Sequence, residues 1–197
     1  MSHHKYQTEV VILGSMSVGE SNKFVDMFTK DLGRIRAVAQ SVREERSKLR
    51  FSLQDFSISD VSLVRGRDVW RIVGASSKYN FYSELNNRTE ERDSVIRLLS
   101  LLKRLLNGEE ENGALFSVIY DSFSFLTDTF LNKEELNNFE CLVALRILYN
   151  LGYLAKEDSN ARLLDTNDFT TDLISYLSPI RLSMIKQINT SIQESQL

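Results

Sequence analysis

A chain of 197 residues with 42% hydrophobic content carries enough apolar mass for a buried core, which excludes a disordered polypeptide and admits one or two domains. No run approaches the roughly 18 consecutive apolar residues of a membrane span, and Met1–Tyr6 is polar where a signal peptide is apolar, so a cytoplasmic protein is expected. The net charge of −3 conceals a division: residues 1–83 hold 13 Lys and Arg against 9 Asp and Glu, while residues 84–197 hold 11 against 18.

The first 80 residues read as strands and turns. Thr8–Leu13 is β-branched and apolar, a Gly19-Glu20-Ser21 turn follows, and Phe24–Phe28 continues in the same vein. Asp31-Leu32-Gly33 is a hairpin signal, because glycine takes the positive φ of a tight turn without strain. Over 34–39 the pattern alternates, with Ile35, Ala37 and Ala39 on one face and Arg34 and Arg36 on the other. The apolar parity changes between Phe56-Ile58 and Val61-Leu63, which predicts a bulge or bend at Asp60. Arg65-Gly66-Arg67 marks a second hairpin before Val69–Val73. Five short strands in this length fit a small β-barrel.

Beyond Tyr82 the apolar period becomes 3.6. Thr89 is placed to cap a helix carrying Val95, Leu98, Leu99, Leu102, Leu105 and Leu106, ended by Asn107-Gly108. An acidic loop, Glu109–Gly113, precedes a helix over 114–131 that is apolar nearly all round and therefore expected to be central. Asn132 with Glu135 predicts a capping box for a third helix, with Leu136, Phe139, Val143 and Ile147 as its stripe and Gly152 as its stop. Residues 158–168 read as loop, and Pro179 opens a last amphipathic helix through Ile192. The fold class is α+β, with a five-stranded barrel over 1–82 and a helical bundle over 83–197.

Chemistry concentrates in the barrel. Arg34, Arg36, Arg43, Arg46, Lys48 and Arg50 face only Glu44 and Glu45 in their stretch of sequence, and Arg65 and Arg67 add two cations at the second hairpin. Clustered Lys and Arg neutralise phosphates, and arginine adds a planar fork that grips oxygens bidentately and stacks on bases. Trp70, Tyr79, Phe81 and Tyr82 are candidate stacking platforms, although Trp70 equally suits a plug for the barrel. Gly14–Ser21 mimics a phosphate-binding loop, but Glu20 stands where lysine would reach the phosphates. His3 and His4 are the sole histidines and lie at a terminus, and Cys141 sits in an apolar helical pattern as a core thiol. No catalytic constellation, metal cluster or cofactor motif emerges, so no enzyme is expected.

The order of these pieces, Gly19-Glu20, Phe28-Thr29, Gly33, the basic loop Arg43–Leu49 and Leu53-Gln54-Asp55-Phe56, resembles the N-terminal region of the RecO recombination-mediator family. Leu145–Tyr153 is similar to that family's helix ending in Leu-Gly-Tyr. The resemblance implies an OB-fold followed by a helical domain. It also implies a non-catalytic DNA-repair protein that binds single- and double-stranded DNA, anneals strands, and with RecR helps RecA displace the single-stranded-DNA-binding protein. Much of that family carries a four-cysteine zinc site after this helix. Ala155–Leu164 has no cysteine, so the segment must be held otherwise or shortened. A different class, a protein-interaction adaptor whose basic loop takes an acidic partner tail, fits the same residues.

Overall fold

The computed structural model describes residues 4–194, so the expectation for His3 lies outside the described residues. By its contacts the chain forms two compact units, 1–84 with 107–113, and 85–106 with 114–197. The acidic loop 107–113, read in the sequence as part of the helical region, thus belongs to the barrel unit.

In the first unit β1 (Lys5–Val18), β2 (Asn22–Thr29), β3 (Gly33–Ala39), β4 (Ser57–Arg65) and β5 (Trp70–Asn80) close in the order β1-β2-β3-β5-β4. All pairings are antiparallel except β3 with β5, which is parallel, the arrangement of an OB-type barrel. Alternation along the strands sends Val10, Ile12, Val25, Met27, Ile35, Ala37, Ala39, Val61, Leu63 and Ile72 into one core cluster, as the period of two requires. Two short helices, α1 (Leu49–Ser52) and α2 (Phe81–Glu84), complete the unit with the loops.

The bend expected at Asp60 lies elsewhere. Register shifts leave Val73 and Lys78 unpaired on β5, so the extra residues sit in the partner strand. The parity change in β4 has another cause: Ser57, Ile58 and Ser59 are all buried, so both faces of its first turn of pleat tolerate apolar side chains. Gly33, at φ +70°, is required twice over, because a Cβ there would also lie 2.3 Å from the Glu110 carbonyl oxygen. Gly14–Ser21 is the end of β1 and its turn with no helix behind it, so a phosphate-binding loop is absent by topology.

The second unit holds α3 (Thr89–Leu105), α4 (Gly113–Asp128, its first residue counted with the barrel), α5 (Lys133–Asn150), α6 (Ala161–Leu164), α7 (Thr171–Tyr176) and α8 (Arg181–Glu194). The central helix is α5, on which α3, α6, α7 and α8 pack, rather than α4. Asn132 Oδ1 accepts from the amides of Glu134 and Glu135, and Glu135 answers the Asn132 amide, completing the capping box. At its other end Tyr153 N donates to Leu148 O and Gly152 N to Tyr149 O, a Schellman closure with Gly152 at φ +77°. Thr89 is not a cap: Arg88 holds that position and Thr89 begins the helix.

Residues 153–168 offer no thiolate to a zinc ion. Arg146, 1% exposed, occupies the role of a tether instead. Its Nε, Nη1 and Nη2 donate to the carbonyl oxygens of Leu163, Asn167 and Asp168 at 3.0, 2.9 and 3.0 Å, and its guanidinium lies 4.4 Å from the Phe169 ring centroid. Burial pushes its pKa down to about 10, which leaves it charged at neutral pH. Asn160, also buried, accepts from the Glu157 amide and donates to the Ala155 carbonyl, closing the preceding turn.

Candidate nucleic-acid interface

Because Ile35, Ala37 and Ala39 face the core, Arg34, Arg36 and Val38 line the outer side of β3. Strand pairing sets Val38 beside Phe24 of β2 and Arg71 of β5, and Phe24 beside Met16 of β1. One lateral row, Met16–Phe24–Val38–Arg71, therefore crosses four strands. Met16 is 54% exposed, Arg71 is exposed, and Phe24 and Val38 are half-buried. Arg36 is exposed and its guanidinium stands 4.8 Å from the Phe24 ring centroid. An aromatic and aliphatic strip bracketed by two arginines offers apolar surface to bases and cations to phosphates.

The expected residues divide three ways. Arg34 lies on the same outer side as Arg36, but its Nε and Nη2 donate to Asp26 Oδ1 and Oδ2 at 3.0 and 2.8 Å. Those hydrogen bonds raise its pKa and answer its charge within the sheet. Arg65 lies 3.6 Å from Glu109 and covers the Trp70 ring at 5.2 Å. Arg36, Arg46, Lys48, Arg50, Arg67 and Arg71 are exposed and form no ion pair with a carboxylate among the described residues. Arg43 donates from Nη1 to Gly19 O at 3.1 Å, and its amide donates to Ser21 O, which moors the basic loop to the β1–β2 turn.

Register also orders them in space. Lys23 pairs with Ala39, so the β1–β2 turn, the basic loop and α1 gather at the end of the barrel where β3 finishes. Ala37 pairs with Trp70, so the β4–β5 turn carrying Arg67 lies alongside the start of β3. Arg36 lies on β3 between the two, and the Met16–Phe24–Val38–Arg71 row crosses the sheet at the level of Val38.

Two expected stacking platforms are corrected. Trp70 is 5% exposed, its Nε1 donates to Glu109 Oε1 at 2.9 Å, and its ring meets Tyr6 edge-on at 5.3 Å, so it plugs the barrel with no open face. Phe81 is 1% exposed and packs beside half-buried Tyr79, whereas Tyr82 is exposed. Phe24, Met16 and Arg71 went unread in the sequence: alternation marks each as facing outward, but only the register shows that they share a row.

The family model described as "Recombination protein O N terminal" matches residues 1–81. Relatives named DNA repair protein RecO include one from Dehalococcoides mccartyi, 30% identical over 64% of this chain and 49% of its own length. Another, from Alkaliphilus metalliredigens, is 29% identical over 57% and 46%. A third, from Rubrobacter xylanophilus, is 24% identical over 79% and 61%. The chain spans about half the length of the curated relatives it matches. The family model thus covers the strands of the closed five-stranded unit, and the similarity to proteins named DNA repair protein RecO reaches into the helices that follow.

Proposed function

We propose that the protein is a non-enzymatic DNA-binding recombination mediator in DNA repair. The observation that carries this reading is the outer side of β3, where Arg36 and Arg71 bracket the Met16–Phe24–Val38 strip with no carboxylate partner among the described residues. Two strands approaching this surface would have their phosphates neutralised together, which removes the main barrier to nucleating base pairs. The surface reads backbone and base faces, not base edges, so sequence preference is weak. The relatives' name supports the repair role, and in this proposal the helical unit offers the surface for RecR, the single-stranded-DNA-binding protein and RecA loading.

The test is the double variant Arg36→Glu/Arg71→Glu in fluorescence anisotropy with an oligonucleotide across a salt series. Affinity falls and the slope of log K against log salt becomes shallower by roughly two counterions or less. An unchanged slope removes the reading. A second reading, a protein-interaction adaptor, draws on α8, whose Leu182 is 81% exposed beside a groove lined by Asn137, Cys141, Ala144 and Ile185.

A further inference from the structure

The basic loop ends in α1, whose four residues solve a simple geometric problem. Leu49 packs against the barrel core and Leu53 joins it, and residues four apart share a helix face. Phe51, midway between them, is turned to the opposite side and is 69% exposed. Lys48, three residues before it and so one helical turn away, and the adjacent Arg50 are both exposed. The other strongly exposed phenylalanine, Phe130, has its ring covered by Arg88 at 4.6 Å. Phe51 has no ring or cation partner among the described residues, and neither Lys48 nor Arg50 has a carboxylate partner there. A large apolar side chain held off the surface forfeits the stabilisation that burial would bring, and a single one of these is ordinary. This one stands between cations at the end of a moored basic loop, and that pairing of π-face with positive charge matches one ligand chemistry.

We propose that Phe51 is a base-stacking contact for single-stranded nucleic acid, with Lys48 and Arg50 holding the phosphates on either side of the stacked base. The site is carried by α1 rather than by the strands of the outer row, and it rests on the DNA-binding function proposed above. An unpaired base presents a free face to the ring, whereas bases in a duplex are already stacked on one another. Phe51 therefore discriminates by strand type: it favours an unpaired strand next to the phosphate-binding surface and releases it as pairing completes.

The experiment compares wild type, Phe51→Ala, Phe51→Leu and Phe51→Trp for binding to labelled oligo-dT and to a duplex of mixed sequence at one salt concentration. Phe51→Ala is expected to bind oligo-dT roughly tenfold more weakly and the duplex equally well. Phe51→Leu, apolar but without a π-face, should resemble Phe51→Ala, and Phe51→Trp should retain affinity with its fluorescence quenched by oligo-dT. Equal oligo-dT affinity for wild type and Phe51→Ala overturns the inference, as does a Phe51→Leu variant that binds like wild type. If these results come with a salt slope that Arg36→Glu/Arg71→Glu still flattens, only the Phe51 contact is lost. If wild type binds neither ligand at low salt, both readings fall.

Discussion

Arg146 and Asp168 are joined by a hydrogen bond from guanidinium Nη2 to backbone carbonyl, 3.0 Å long, between the central helix and a segment 22 residues further on. With the bonds to Leu163 and Asn167 it satisfies three carbonyls of a stretch that has almost no regular structure of its own. A buried guanidinium is stable only while its donors are answered, and the carbonyls depend on it equally. Arg146→Met should therefore destabilise the helical unit by about 1–3 kcal/mol, since it takes the donor from one buried and two partly buried carbonyl bonds at once. Arg146→Lys should recover little, because an ammonium lacks the planar fork. Urea unfolding with hydrogen exchange over residues 160–170 checks this, and chelator treatment should leave wild type unchanged.

Asp26 controls how much charge the sheet shows. It ties up Arg34, and strand pairing sets it beside Arg36. Asp26→Asn should raise affinity for an oligonucleotide and steepen its salt slope by about one counterion, because a guanidinium and an opposing carboxylate are changed together. Arg34→Ala alone should have a smaller effect than Arg36→Ala. Anisotropy titrations at several salt concentrations measure both.

Trp70 is the sole tryptophan, so its fluorescence reports the barrel plug alone. With its indole against Glu109 and Tyr6, emission should be blue-shifted in the folded protein and change little on saturation with oligo-dT. Glu109→Leu should lower the thermal midpoint by removing the acceptor of a buried indole, at a cost of about 1–3 kcal/mol. Differential scanning calorimetry measures the second effect, and strong quenching by oligo-dT would contradict the first.

Cys141 is 5% exposed, and burial pushes its thiol from 9.0 up to about 11. Between those values the unfolded chain releases the proton while the folded chain keeps it, so this thiol's contribution is full below pH 9 and is lost as pH rises toward 11. Native protein at pH 8 should react with a thiol reagent only at the rate at which the helical unit opens, and Cys141→Ala should reduce the loss of stability across the alkaline window. Reaction as fast as that of free cysteine would contradict the burial.

Local chemistry made much of this architecture legible. The turn at Gly33, the inward and outward faces of β3, the Asn132–Glu135 capping box and the Gly152 stop each depend on residues within four positions of one another, and a period of two or 3.6 carries that information directly. What escaped depends on residues far apart in the chain. Asp26 silences Arg34 across a strand pair, and Glu109 returns from beyond α3 to meet Trp70 across 39 positions. The bulges fall on β5, and Phe24 joins Met16, Val38 and Arg71 only once the barrel closes in one register. Periodicity determines which side of its own element a residue faces. Which charges remain unanswered and which side chains share a surface is decided by register and loop docking, because those pairings are won by the global packing of the chain and leave no mark in any short stretch of it.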